Sequence, residues 1–375
     1  MILYIAVATL SILLASRVTA SPQSNTTYLT RRVVMNRIIL VGLFTLLFLV
    51  SALRIHTGND YYTYISRFHD IHYGIYVVTE KGFNYLVKAL YWFFDSECYL
   101  YVFALFAGLT VLVFLEGMYK QSRDFAMTFF LFMTLGLYFQ SFNTVRYYFA
   151  LAIVLYSHRF VTEKKYISFI VTILVASLFH KSTLVCIPVF LLANMNWKRW
   201  QVVAISCISV FGLILRGPLM DIFVRLYPSY RYEEEYLAGG TLSIVNIFRC
   251  GAVLVLCLMF WNETVKEDKN NKFYFYLNFA ALLLYTFFFY IPFVSRIGYY
   301  LNISNILLIP GVIRLIKDDR KRRVIQLLVV LAGILYFAFF LRKAYGDFVK
   351  VLPYSTWLFE DFEFLPLEPV IYSNQ

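Results

Sequence analysis

Arginine, histidine and aspartate side chains stand at the ends of apolar stretches in six places along this 375-residue chain. Those places hold Arg54 with His56, Asp60, Arg146, His180 with Lys181, Arg216, and Arg296. Arginine carries a permanent charge on a planar fork that matches phosphate oxygens, and histidine exchanges protons near neutral pH. Ionisable groups at a membrane edge cost free energy and are therefore functional candidates. The set predicts a site that binds an anion and moves a proton.

The composition indicates what kind of protein holds these groups. Hydrophobic residues make up 61% of the chain and charged residues 15%, whereas soluble domains average roughly 45–50% apolar and about 25% charged residues. A soluble enzyme, a coiled coil and a disordered chain are therefore excluded. We predict an all-α, polytopic helical membrane protein in which residues 1–375 form a single integral domain in the lipid bilayer.

The net charge of +12 has a simple explanation in such a protein, because Lys and Arg in short loops fix the orientation of membrane helices. No basic and aromatic stripe of a soluble domain accompanies the charge, so we expect no nucleic-acid partner. The five cysteines form no CxxC pair, and no extracytoplasmic Asp and His set has the spacing of metal ligands. The sequence predicts neither a bound metal nor another cofactor.

Apolar stretches that are candidates to cross a bilayer recur along the chain. A span needs about 20 apolar residues, and the twelve candidate stretches predict ten to twelve transmembrane helices. The candidates are 2–18, 38–54, 99–118, 125–142, 144–160, 166–180, 182–195, 200–215, 242–261, 273–291, 297–315 and 324–341. The stretch 182–195 is the weakest, because it is short and contains Pro188.

Basic residues alternate from loop to loop and give the orientation. The loops after the odd-numbered spans hold nineteen Lys and Arg residues, which places those loops in the cytoplasm. Both termini, the loop 55–98, the loop 216–241 and the C-terminal tail 342–375 are then extracytoplasmic. All the ionisable groups named above fall on that same side, so the topology predicts that they converge.

Two segments on that side have patterns that place particular residues. In the loop 55–98, apolar residues from Phe83 to Phe94 follow the spacing of an amphipathic helix. In SFNTVRYYFALAIVLY, Asn143 and Arg146 share one helix face. Arg146 is either a substrate-binding group or an arginine whose charge snorkels to the membrane surface. His180 is either a proton acceptor or a structural hydrogen-bonding group.

Four segments occur in an order that resembles a known family. They are GNDYYTYISRF with Arg54 just before it, EKGFNYLVKAL, SFNTVRYYFALAI and SLFHKSTL. The EpsG-like family of bacterial exopolysaccharide polymerases, relatives of the Wzy type, has an Arg before a GxDY-like turn. An E-P-G-F-like segment, an N-x-x-R-Q-like helix start and an LFH-K/x-S junction follow. The resemblance covers roughly residues 30–195, and the Arg296 segment matches further on. Tyr147 stands where the family usually has Gln, and Lys81 stands where proline is common.

The resemblance implies a polymerase at the outer leaflet of the bacterial cytoplasmic (inner) membrane, with the membrane glycosyltransferase architecture called GT-C. Its donor would be a growing glycan on undecaprenyl diphosphate. Its acceptor would be a lipid-linked repeat unit of an exopolysaccharide, O-antigen or capsule. A flippase and a chain-length regulator are the protein partners expected of such an enzyme.

Each candidate residue has an expected role in that reaction. Arg54, Arg146 and Arg296 form a diphosphate clamp that replaces a divalent metal. His180 takes the proton of the acceptor hydroxyl or orients that hydroxyl, and Asp60 is the alternative base. The other substrate-binding candidates are His56, Tyr61, Asn143 and Lys181.

Three other functions stay open. A lipid-linked oligosaccharide flippase, or transporter, also has many spans and buried arginines, but it needs charges along a path that reaches both membrane faces. A polysaccharide-modifying O-acyltransferase also uses a histidine, but its acyl donor comes from the cytoplasm, where His158 is the nearby histidine. A non-catalytic assembly subunit is the third alternative. The ionisable groups on one face favour the polymerase.

Overall fold

Helices make up 77% of the protein that the structure describes. The computed structural model describes residues 1–19, 31–226, 242–291, 294–346 and 349–359. Within those ranges, one two-stranded sheet accompanies the helices. The predicted all-α, polytopic membrane architecture is confirmed.

The elements are numbered along the chain. The helices are α1 (Ile2–Ala15), α2 (Arg31–Ala52), α3 (Tyr61–His72), α4 (Lys81–Phe94), α5 (Tyr99–Gln121), α6 (Phe125–Thr134), α7 (Leu137–Gln140), α8 (Val145–Thr162), α9 (Tyr166–Ser177), α10 (Cys186–Ala193), α11 (Arg199–Ile214), α12 (Arg216–Leu226), α13 (Ile244–Met259), α14 (Trp261–Thr264), α15 (Lys269–Phe287), α16 (Val294–Asn302), α17 (Asn305–Leu315) and α18 (Asp319–Lys343). A 3₁₀ turn, Lys181–Val185, precedes α10, and the strands are β1 (Arg54–Ile55) and β2 (Ser355–Thr356).

The lengths of the helices vary widely. Among the described residues, α2, α5 and α18 are each long and apolar enough to cross a membrane, and α11 with the start of α12 forms a fourth candidate bent by 84°. Several shorter apolar helices, including α1, α6, α9 and α13, accompany them. The count of ten to twelve spans stays a prediction. The predicted loop 216–241 begins as α12, and residues 227–241 lie outside the described residues.

Several predicted spans are interrupted. The stretch 125–142 divides into α6 and α7 at Gly136, whose φ of 73° is left-handed. A Cβ at this position would lie 2.9 Å from the ring of Phe340, so glycine satisfies both the turn and the packing. The stretch 297–315 divides into α16 and α17, and 182–195 begins with the 3₁₀ turn.

The predicted outer loop 55–98 is largely helical. Its second half forms α4, in agreement with the amphipathic pattern, and buries Phe83, Val87 and Tyr91. Its first half forms α3, which the sequence analysis did not predict and which buries Phe68. Both helices pack on α5 and α8 through one hydrophobic cluster.

The described part of the C-terminal tail returns to the start of that loop. β2 pairs with β1 in an antiparallel sheet. The backbone N–H groups of Gly58 and Asn59 donate to carbonyls of this returning segment, at 2.8 and 3.3 Å. Within the predicted tail 342–375, Val351 and Leu352 are buried, whereas Trp357, Leu358 and Phe359 are exposed. Residues 360–375 lie outside the described residues.

Loops that are predicted to lie on the same side of the membrane contact one another. Arg123, after α5, forms an ion pair with Asp268, before α15. The backbone N–H of Lys317 donates to Glu263 Oε2 at 3.1 Å. These loops belong to the set predicted to be cytoplasmic.

Candidate substrate-binding cavity

A cavity of about 900 Å³ lies where α4, α8, α9 and α16 meet. It is bounded by residues 74–81, by the junction after α9, and by the first turns of α8 and α16. Five cationic side chains and one carboxylate are among its described lining residues: Lys81, Lys88, Arg146, Lys181 and Arg296, with Glu80. This excess of positive charge favours an anionic ligand.

Arg146 enters the cavity from the first turn of α8. Its Nη1 donates to Glu80 Oε2, and its guanidinium lies 5.3 Å from the centre of the Phe83 ring. Its Nε is buried and has no hydrogen-bond partner among the described residues. Buried donors without an acceptor are uncommon in proteins, so Arg146 retains hydrogen-bonding capacity for a ligand.

Glu80 belongs to this site, although the sequence analysis did not select it. Its second oxygen accepts a hydrogen bond from the backbone N–H of Lys181 at 3.1 Å, so one carboxylate joins the start of α4 to the junction after α9. Gly82 allows this approach, because a Cβ there would lie 2.5 Å from Leu178 Cβ and 2.8 Å from the Leu178 carbonyl oxygen. The EKGF segment, already quoted for the family resemblance, was the signal that could have identified Glu80.

His180 stands in the junction between α9 and the 3₁₀ turn, outside both helices. Its Nδ1 is 2.7 Å from Ser182 Oγ and 3.1 Å from the Tyr300 hydroxyl, whereas Nε2 has no hydrogen-bond partner among the described residues. Burial, with Arg146 and Arg296 nearby, lowers the pKa of His180 to about 3. The imidazole is therefore neutral at physiological pH and is held through Nδ1, with Nε2 free for a ligand.

Arg296 lines the same cavity from the first turn of α16. Its backbone carbonyl accepts a hydrogen bond from the Tyr147 hydroxyl at 2.8 Å, and the Tyr147 ring lies 5.3 Å from the His180 ring. Within the described ranges, no carboxylate forms an ion pair with the Arg296 side chain. Tyr147 thus connects α8 to α16 through the backbone of Arg296 and does not occupy the Arg296 side chain.

Asp60 and Asn143 lie beside the cavity and are not in its lining. Asn143 Oδ1 accepts a hydrogen bond from the backbone N–H of Asp60 at 2.9 Å. Gly58, with φ of 104°, brings this turn so close that a Cβ would lie 2.8 Å from the carbonyl oxygen of Phe142. Burial raises the pKa of Asp60, and the charge of Arg296 opposes that shift. Asn143 therefore positions the Asp60 turn, and it is not placed to contact a ligand in the cavity.

Arg54 is not brought into the cavity lining. Its side chain is only 1% exposed. The guanidinium donates to the backbone carbonyl of Ser51 and, at 3.3 Å, to that of Phe142. It also lies 5.0 Å from the centre of the Phe142 ring and 5.3 Å from that of Phe103. These contacts place the Arg54 guanidinium among protein carbonyls and rings, so Arg54 is placed to hold the fold of the turn.

His56 and Tyr61 also lie away from the lining. His56 is exposed, and its Nδ1 is 2.7 Å from the Tyr62 hydroxyl. Tyr61 is buried, and its ring stacks on that of Phe103 with the centres 4.9 Å apart. The structure therefore brings together Arg146, Lys181, Arg296 and His180 around one cavity, whereas Asp60 and Asn143 lie outside its lining.

The protein donors in this cavity give no cluster suited to a metal ion. Among the described residues, no three His, Cys, Asp or Glu side chains are grouped as metal ligands. In the lining, Glu80 is already bonded to Arg146, and His180 Nδ1 is bonded to two hydroxyls. The independence of the protein from metal stays a prediction.

Comparison with known families covers most of the chain. The model of the EpsG family matches residues 37–356. The chain belongs to the EpsG family. The match runs from α2 to β2 and includes every element that bounds the cavity, which confirms the family predicted from the four sequence segments. No curated protein and no solved structure matches the chain. EpsG membership associates this membrane protein with exopolysaccharide polymerisation.

Proposed function

We propose that this EpsG protein is a polysaccharide polymerase, a membrane glycosyltransferase of GT-C-like architecture. It transfers a growing glycan from undecaprenyl diphosphate to a lipid-linked repeat unit at the outer leaflet of the cytoplasmic membrane. The observation that carries the proposal is a cavity lined by five cations and one carboxylate, next to a neutral histidine. Transfer of a sugar from a diphosphate needs one group that binds the anion and a second group that accepts the proton of the acceptor hydroxyl.

The reaction exchanges one bond at the sugar carbon C1. The acceptor hydroxyl oxygen attacks C1, and the bond from C1 to the diphosphate oxygen breaks. The electron pair of the broken bond leaves with the diphosphate, and the hydroxyl proton passes to a base. Negative charge therefore grows on the diphosphate in the transition state, where fixed cationic donors are most effective.

Arg146 and Arg296 are the proposed diphosphate clamp, with Lys181 as an accessory cation. Arg146 has a buried Nε without an acceptor, and Arg296 has no ion-pair partner among the described residues. A guanidinium offers two parallel N–H donors to phosphate oxygens. Arg54 leaves the clamp, because it is 1% exposed and lies outside the cavity lining, where its Nη1 and Nη2 donate to backbone carbonyls.

We assign to His180 the role of binding the acceptor hydroxyl and accepting its proton. With the Nδ1 proton donated to Ser182 or Tyr300, Nε2 presents a lone pair toward a ligand. A weakly basic imidazole suffices, because the hydroxyl proton becomes strongly acidic only as its oxygen bonds to C1. Asp60, whose pKa is raised by burial, is the second candidate base, although it lies outside the cavity lining.

The membrane side and the partners complete the proposal. The alternation of basic loops supports an extracytoplasmic cavity. At that face, a flippase would deliver the lipid-linked repeat unit, and a chain-length regulator would act on the same polymer. His56, which is exposed outside the cavity lining, is kept as a contact for the part of a long glycan that extends beyond it. Tyr61 is buried against Phe103 and is no longer proposed to contact substrate.

The test is complementation of cells that lack this protein. The natural sequence should restore a glycan ladder, and Arg296→Gln should leave lipid-linked single repeat units in the outer leaflet without a ladder. The matched control is Arg314→Gln at the exposed end of α17, which should restore the ladder. Repeat units retained in the cytoplasmic leaflet would instead indicate a flippase. A ladder of normal length that lacks acyl groups would indicate an O-acyltransferase.

A further inference from the structure

A second cavity lies on the other side of α16. It has a volume of about 450 Å³ and runs between α6, α13, α17 and α18. We call it the α13–α18 groove, and its lining includes Phe248, Leu256, Met259, Ile325 and Leu328. Phe248 and Met259 are 76% and 66% exposed, so the groove faces the space that membrane lipid occupies.

One end of the α13–α18 groove is charged. Arg249 lies in its lining, with Nη2 2.9 Å from Asn246 Oδ1 and its guanidinium 5.3 Å from the centre of the Tyr299 ring. Within the described ranges, no carboxylate pairs with Arg249. A hydrocarbon occupant alone would leave the charge of Arg249 without an anionic partner.

The other end of the α13–α18 groove is apolar. From Arg249 to Met259 the helix rises about 15 Å, and from Tyr336 to Ile325 on α18 it descends by a similar distance. The lining changes over that distance from Arg249 and Tyr336 to aliphatic side chains and Met259. A linear hydrocarbon chain with one anionic end matches this shape and this polarity.

The charged end adjoins the candidate site. The helix α16 carries Arg296 toward the first cavity and Tyr299 toward Arg249. Only about one helical turn separates those two residues along α16. We propose that the α13–α18 groove binds the isoprenoid chain of a second polyprenyl-linked substrate, with its phosphate at Arg249. This inference rests on the proposed function, which requires two lipid-linked substrates and gives the first cavity to one of them.

The experiment measures binding, so it does not depend on polymer formation. The full chain in nanodiscs is photolabelled with undecaprenyl phosphate that carries a diazirine in its isoprenoid chain. Labelling should map to α13 and α18. Arg249→Gln should weaken binding by about ten- to a hundredfold, the usual loss for a hydrogen bond to a charged group. Ala332→Trp, in the lining, should block labelling, whereas Ala338→Trp, on the exposed face of the same helix and outside the lining, should not.

Two results would overturn the inference. The first is labelling of α13 and α18 that neither Arg249→Gln nor Ala332→Trp reduces. The second is competition by phosphatidylglycerol that equals competition by unlabelled undecaprenyl phosphate, which would make the groove a site for bulk anionic lipid. Failure of the proposed function is distinct. It would appear as correct labelling of the groove in a protein that forms no polymer from lipid-linked repeat units.

Discussion

Arg146→Lys separates a ligand-binding arginine from one that only snorkels or forms an ion pair. Lysine keeps the positive charge beside Glu80, so a purely structural role survives the exchange. Lysine lacks the planar guanidinium, whose Nε and Nη donors can bond to two separate partners. In this protein Nη1 is bonded to Glu80 while Nε has no acceptor, so a single ammonium cannot serve both the carboxylate and a phosphate.

The expected loss follows from the loss of one fixed donor at a growing charge. Such a loss costs about a hundred- to a thousandfold in rate, or roughly 2.7–4 kcal/mol. Polymer formation should therefore fall by that factor in Arg146→Lys and nearly as far as in Arg146→Ala. Abundance in the membrane should stay close to normal for the lysine variant, because the ion pair and the contact with Phe83 are kept.

The assay is the glycan ladder, compared with immunoblot abundance in the membrane fraction. The matched control is Arg159→Lys on the same helix, where the arginine also faces a carboxylate, Glu163, and an aromatic ring, Tyr156. We expect the control to give a normal ladder. A normal ladder from Arg146→Lys at normal abundance would refute the clamp assignment for Arg146.

Three further predictions concern proton transfer, metal and orientation. Burial and two nearby arginines lower the pKa of His180 to about 3, so a reaction that needs neutral His180 should keep its rate as the pH falls from 8 to 5; an acidic limb near pH 6.5 would contradict this. If Asp60 is the base, activity should instead be lost as the pH falls through a pKa above the ordinary value near 3.9, and Asp60→Asn should abolish that limb together with the activity. The purified protein should remain active in EDTA; loss of activity that magnesium or manganese restores would count against an arginine clamp. Alkaline phosphatase fused after Tyr372 should be active, and an inactive fusion beside an active cytoplasmic reporter would reverse the predicted orientation.

The helical architecture followed from composition and periodicity, because both report directly on burial in lipid. The amphipathic helix α4 was predicted from its apolar spacing. Helix α3 was missed, although Tyr61, Tyr64, Ile65 and Phe68 repeat at helical spacing and are all buried. Its tyrosines and the neighbouring GND turn suggested a ligand-binding loop, whereas packing against α5 requires a helix. A hydrophobic pattern in a polar-rich segment therefore deserved more weight than residue type.

The candidate site was predicted in part. The predicted membrane side of each loop was enough to place Arg146, His180 and Arg296 together, because all helix ends on one face of the membrane lie at the same depth. Sequence reasoning could not separate a buried structural arginine from a ligand-binding one. That difference depends on where the side chain lies: Arg54 is buried outside the cavity lining, among carbonyls and rings, whereas Arg146 is part of the lining.

Long-range contacts were the least predictable features. Glu80 reaches Arg146 and Lys181 across 66 and 101 residues of sequence. The C-terminal segment returns to pair with β1 across about 300 residues, through bonds such as that from Thr356 Oγ1 to the Leu53 carbonyl at 2.8 Å. Local propensity carries no information about such partners. For Glu80, the hint in the sequence is the EKGF segment, which resembles a family motif.

The most direct measurement of the central claim is reconstitution of the purified protein in proteoliposomes with a synthetic lipid-linked repeat unit as the only substrate. The claim predicts products with two or more repeat units on one lipid, and one undecaprenyl diphosphate released for each new glycosidic bond. Products and release should disappear together in Arg146→Lys and Arg296→Gln. Movement of the lipid-linked unit across the bilayer without a new bond, or release of undecaprenyl diphosphate that both variants leave unchanged, would contradict it.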